Sequence, residues 1–183
     1  MTWKTRAVAA ACAVALYSGT ASAAAPAATV PMKQGLHQWP ALKGKLILIV
    51  GTYQDTTSFR RSYNFYFKDG QDDAWNQVPM RNKAGRMQLE WDSASGAEIT
   101  LADGVISPRA DAIYFIVADK RADQGYHDKG DITVTWYKLI ESGDDLPDDP
   151  AYQFKPEFAR TYPKSIATVE SILNKELSLQ PHK

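Results

Sequence analysis

ITVTWYKLI, residues Ile132 to Ile140, sets Ile132, Val134, Trp136 and Lys138 on one side and Thr133, Thr135, Tyr137 and Leu139 on the other. A period of two is that of a β-strand, whose successive side chains point to opposite faces of a sheet. Upstream, IYFIVA (Ile113 to Ala118) is a continuous apolar run, predicted to pair with it through a connecting loop from Asp119 to Asp131. Further upstream, LILIVGTY (Leu46 to Tyr53) is rich in β-branched residues and reads as a central strand covered on both faces. Ser62 to Lys68 places Tyr63, Phe65 and Phe67 on one face and Asn64 and Tyr66 on the other, before a turn at Asp69-Gly70. Trp75 to Met80, Arg86 to Trp91 and Glu98 to Leu101 read as shorter strands between turn-formers.

One helix is expected at the C-terminal end. Tyr162-Pro163 opens it, because proline is tolerated in a helix's first turn, and Ile166, Val169, Ile172, Leu173 and Leu177 recur at helical spacing over about 163–177. The pattern predicts a mainly β protein: an antiparallel β-sandwich or half-open barrel of about seven strands with one C-terminal helix. A twisted sheet covered by that helix is the alternative.

The N-terminus reads as a cleavable export signal over residues 1–23. Lys4 and Arg6 precede the apolar Ala7 to Leu16, which is too short to span a bilayer, and Ala21-Ser22-Ala23 offers the small residues of a cleavage site. Cleavage is expected after Ala23 and the destination is the periplasm. Cys12, the only cysteine, lies inside the apolar segment rather than at its end, so lipid attachment is not expected, and its removal takes thiol chemistry away from the exported part. Residues 24–35, rich in alanine and proline, read as a flexible arm, and 36–183 as a single domain. Without Lys4 and Arg6, 19 basic residues face 21 acidic ones. That balance gives no reason to expect a nucleic acid partner, and no later apolar run is long enough for a membrane span.

No catalytic constellation emerges. His37, His127 and His182 are far apart, where a zinc hydrolase needs ligands at fixed spacing, so no metal or other cofactor is expected. The Gly-x-Ser-x-Gly elbow, the Ser-x-x-Lys pair and a phosphate-cradling glycine loop are absent from the sequence. A triad dispersed along the chain and assembled in space stays open. Two places invite a ligand instead. In the loop after Asp119, Arg121 and Lys129 would contact an anion beside His127, which titrates near neutral pH; the alternative is a solvated loop in which Asp119, Asp123, Asp128 and Asp131 pair with neighbouring cations. Arg60 and Arg61 precede the aromatic strand that carries Tyr66, and guanidinium groups beside exposed rings suit a carboxylate or a sugar-like ligand; a charged, aggregation-resistant edge is the other reading. The acidic segment from Glu141 to Asp149 has the oxygens for a divalent cation but equally reads as a solvated loop.

Over Arg61 to Phe154 the succession SYNFYF (Ser62 to Phe67), Trp75 with Val78, IYFIVADKRADQGYHD (Ile113 to Asp128), ITVTWYKL (Ile132 to Leu139) and AYQF (Ala151 to Phe154) resembles the periplasmic carbapenem self-resistance proteins, exported accessory factors distinct from the β-lactamases. The resemblance spans about half the chain. PALKG (Pro40 to Gly44) stands where that family has an acidic Asn/Asp-Gly segment, and the family's cysteine before the Ile113 strand is missing, so no metal or disulfide role is carried over. The resemblance implies a non-enzymatic protective factor whose partner is an envelope protein, a cell-wall component or a β-lactam-like small molecule. An immunity protein against an exported toxin, or an envelope hydrolase of unrecognised type, remains the alternative, and the oligomeric state stays open.

Overall fold

The computed structural model describes residues 30–54, 59–71, 73–82, 84–95, 100–121, 129–143 and 149–179. Residues 1–23, expected to be an export signal, and His127, His182, Asp123, Asp128, Asp144, Asp145 and Asp148 lie outside the described residues. Two sheets are built from β1 (Gly35–Ala41), β2 (Gly44–Gln54), β3 (Phe59–Asp69), β4 (Trp75–Gln77), β5 (Met80–Arg81), β6 (Met87–Gln88), β7 (Glu90–Asp92), β8 (Ala94–Ser95), β9 (Thr100–Pro108), β10 (Ile113–Arg121), β11 (Gly130–Glu141) and β12 (Tyr152–Ser165). The first sheet runs β1-β2-β3-β4 with β7 also on β3; the second runs β6-β5-β12-β11-β10-β9-β8 and curls into a half-barrel. Pairing is antiparallel except where Met80 of β5 lies parallel to Phe154 of β12.

The fold is thus the mainly β, half-barrelled sandwich with one late helix that the alternation predicts. β10 and β11 pair as expected, with Ile116 opposite Trp136. Seven is the strand number of the larger sheet alone. The short middle segments break into pieces: Trp75 to Met80 divides into β4 and β5, and Arg86 to Trp91 into β6 and β7, as the chain crosses from one sheet to the other. Each piece pairs for only two or three residues.

The inner faces meet in an aromatic core. Phe65 of β3 packs edge-on against Phe115 of β10 and Phe154 of β12, both at 4.9 Å between centroids. Trp91 closes the group against Tyr63 and Phe115. Each ring withdrawn fully from water contributes on the order of 2–3 kcal/mol. Gly104 of β9 lets the Phe115 ring lie against its backbone, in space that a Cβ would occupy.

Three expectations change. Leu46, Leu48 and Val50 of β2 face the core, but on the other side only Ile47 is buried, while Ile49 and Tyr53 are exposed; this central strand is covered fully on one face only. The arm does not reach residue 35 unpacked: Met32 belongs to the core and Val30 lies against it. The helix, α1 (Val169–Ser178), starts six residues after Pro163, because Tyr152–Ser165 continues as β12 along β11. Pro163 is accommodated where the register shifts between Gly130 and Ile132, a place that asks for no donor from it. Thr168 is the N-cap, its hydroxyl accepting from the Ser171 amide at 3.2 Å.

α1 covers the face of the large sheet that points away from the aromatic core, burying Val169, Ile172 and Leu173. Glu176, fully buried on the same side of the helix, accepts hydrogen bonds from Trp136 Nε1 (2.9 Å), Arg160 Nη1 (2.9 Å) and the Tyr162 hydroxyl (2.5 Å). Arg109 Nη2 donates to the carbonyls of Leu177 and Leu179 at 3.0 Å each, closing the helix's C-terminal end where cations are favoured.

Candidate functional site

Between the half-barrel's inner face and the segment from β5 to β8 lies an open cleft of about 820 Å³. Strand alternation places its walls. On β10, Val117, Asp119 and Arg121 point to one side; on β11, Thr133, Thr135 and Tyr137 point to the same side, with Asp119 opposite Thr133 and Val117 opposite Thr135. Across from them lie Asn82, Asp92 and Trp91, whose ring is shared with the core, and the small side chains of Ala84, of Ala94 and of Ala102, the β9 neighbour of Asp119, leave the space unfilled.

The polar wall is unusual for an inner sheet face. Thr135 and Tyr137 are only 5% and 7% exposed, yet neither hydroxyl has a hydrogen-bond partner among the described residues. Neither oxygen is sealed from solvent, so both hydroxyls are presented to the cleft, where a ligand or water can bond to them. Burial, and then the charge of Asp119, push the Tyr137 phenol above its usual range, which keeps it a hydrogen-bond donor at physiological pH. Asp119 and Arg121, two residues apart at the exposed rim, form no ion pair with each other or with another described residue.

The ligand-binding residues expected from sequence do not assemble. Arg121 alone reaches the cleft. Arg60 and Tyr66 sit on the outer face of the five-stranded sheet, Arg60 opposite Tyr53, and Tyr66 edge-on to Trp75 at 5.9 Å. Arg61 turns inward and is held by a buried ion pair to Asp103 (2.9 Å), so it is structural rather than ligand-facing. Lys129 is exposed just before β11 and is not part of the cleft wall, and His127 is outside the described residues. The described acids of the 141–149 segment are already paired, Glu141 with Lys43 at 2.8 Å and Asp149 with Arg81 at 2.6 Å. Among the described residues no group of three or more histidine, cysteine or acidic side chains is placed to hold a metal ion.

Thr133, Thr135 and Tyr137 escaped notice as site residues because their alternation was spent on the strand assignment. The signal was there: two threonines and a tyrosine occupy the face that Leu139 marks as inward. A second cleft, of about 520 Å³, lies at the opposite end of the β10–β11 hairpin. Its charged residues include Arg109, which serves α1, and Lys138, 3.5 Å from Glu157.

No protein-family model matches the sequence, and no curated protein matches it. Among solved structures, that of CarG is similar, with a TM-score of 0.66 and 18% sequence identity over 80% of this chain and 94% of that one. At that identity the likeness establishes a shared fold.

Proposed function

We propose that this protein is an exported periplasmic protective factor that holds a β-lactam-like small molecule in the cleft between its sheets without hydrolysing it. The observation that carries the reading is the pair of unpartnered hydroxyls, Thr135 and Tyr137, on a cleft wall that also carries Thr133, Asp119 and Arg121. The hydroxyls of Thr133, Thr135 and Tyr137 and the guanidinium of Arg121 are groups that orient a carbonyl-rich and carboxylate-bearing ligand, with Asp92 and Asp119 at the same cleft. The segment order from Arg61 to Phe154, which resembles the carbapenem self-resistance proteins, supports the choice of ligand class, and the fold is shared with CarG. Export rests on the N-terminal pattern of Lys4, Arg6, the apolar Ala7 to Leu16 and Ala21-Ser22-Ala23.

The test uses the purified exported protein and meropenem. Binding is expected, with the drug recovered intact after incubation, and Tyr137→Phe is expected to weaken binding about fivefold to tenfold, the value of one hydrogen bond. In cells, deleting the gene is expected to lower carbapenem tolerance and restoring the native gene to recover it. Consumption of the drug overturns the non-hydrolytic reading. Undiminished binding by Tyr137→Phe removes the cleft as the place.

A further inference from the structure

We infer that the ligand of this cleft is a zwitterion, its carboxylate seated against Arg121 and its ammonium against Asp119; the inference rests on the binding reading above. The two residues occupy successive inward positions of β10, so their Cα atoms are about 6.6 Å apart along the strand. Oppositely charged neighbours at that spacing can fold onto each other, and the long side chain of arginine makes the approach easy. They do not: neither forms an ion pair with any described residue. Of the other acids near the cleft, the Asp131 carboxylate accepts from the Lys164 amide at 2.9 Å, and Asp92, across the cleft from β10, stands beside the charges of Glu90 and Arg60.

The β10 wall presents one charge of each sign, and Asp92 across the cleft adds a second carboxylate, so the cleft discriminates by sign as well as by size. A purely anionic ligand satisfies Arg121 but brings like charge towards Asp119, and a purely cationic one does the reverse. A zwitterion satisfies both. Thr133, directly opposite Asp119, and the cleft-facing Thr135 and Tyr137 hydroxyls below then serve the uncharged carbonyl and amide groups between the ligand's two ends.

Ampicillin and benzylpenicillin test this directly, because they share one nucleus and carboxylate and differ by a single α-amino group. Binding to the purified exported protein is measured by calorimetry at pH 6, where that amine is protonated. Ampicillin is expected to bind about fivefold to tenfold more tightly. Asp119→Asn is expected to bring ampicillin down to the benzylpenicillin level, and Arg121→Gln to weaken both about fivefold; both side chains are exposed, and circular dichroism checks that each variant folds. Equal binding of the two probes, or a preference that survives Asp119→Asn, overturns the zwitterion and leaves the binding reading standing. Failure of the native protein to bind either probe overturns both.

Discussion

Replacing Glu176 by alanine lowers the stability of the fold by about 3–5 kcal/mol, read as a shift of the urea midpoint followed by tryptophan fluorescence. The carboxylate is fully buried and accepts from an indole, a guanidinium and a phenol at once. Removing it leaves Trp136 Nε1 without an acceptor in the interior and strips Arg160 of its only ion-pair partner among the described residues. Breaking a buried ion pair from one side is far more damaging than never having had it. Glu176→Gln keeps one acceptor oxygen, enough for Trp136 Nε1, while its amide nitrogen replaces the oxygen that accepts from Arg160 and Tyr162, so its loss is expected to be smaller than that of the alanine variant. A loss below about 1 kcal/mol for the alanine variant contradicts the network's importance.

Asp103→Ala is the second large effect, about 3 kcal/mol. Asp103 on β9 is fully buried and ties the two sheets together: one carboxylate oxygen accepts from the Tyr63 hydroxyl (2.5 Å) and the Gly104 amide (2.9 Å), the other from Arg61 (2.9 Å). Burial raises its carboxyl above the ordinary range, against the opposing pull of Tyr63, Gly104 and Arg61. The sign follows from proton linkage. A carboxyl with a raised folded-state pKa binds its proton more tightly in the folded chain, so its contribution is fully present below the unfolded value near pH 4 and is lost as pH rises through the folded value. Asp103→Asn cannot titrate. The stability of the native protein relative to Asp103→Asn is therefore expected to be greater at pH 4 than at pH 7 in parallel urea titrations; a flat or reversed difference rejects this account.

Strand faces were legible in the sequence wherever a residue's neighbours two positions away settled the matter. Tyr63, Phe65 and Phe67 point inward, and the β10–β11 pairing follows from their hydrophobic runs. The start of the helix was not legible, because Pro163 is as acceptable at a β-bulge as in a helix's first turn, and only the partner strand distinguishes them. Arg60 and Arg61 look equivalent side by side. The alternation separates them, and the acid that fixes Arg61 lies 42 residues along the chain. The cleft was hidden for a related reason: its polar wall comes from a hairpin, but its emptiness comes from Ala84, Ala94 and Ala102, whose placement depends on where the chain crosses between sheets.

α1 follows in the chain every strand that it covers, and this order matters while the protein is being made. Until Val169 to Glu176 has emerged from the ribosome, the sheet face bearing Ile132, Val134 and Trp136 has nothing of its own chain to lie against. The nascent protein passes through a stage in which both sheets can pair while one side stays adhesive. The docking of this helix closes that stage.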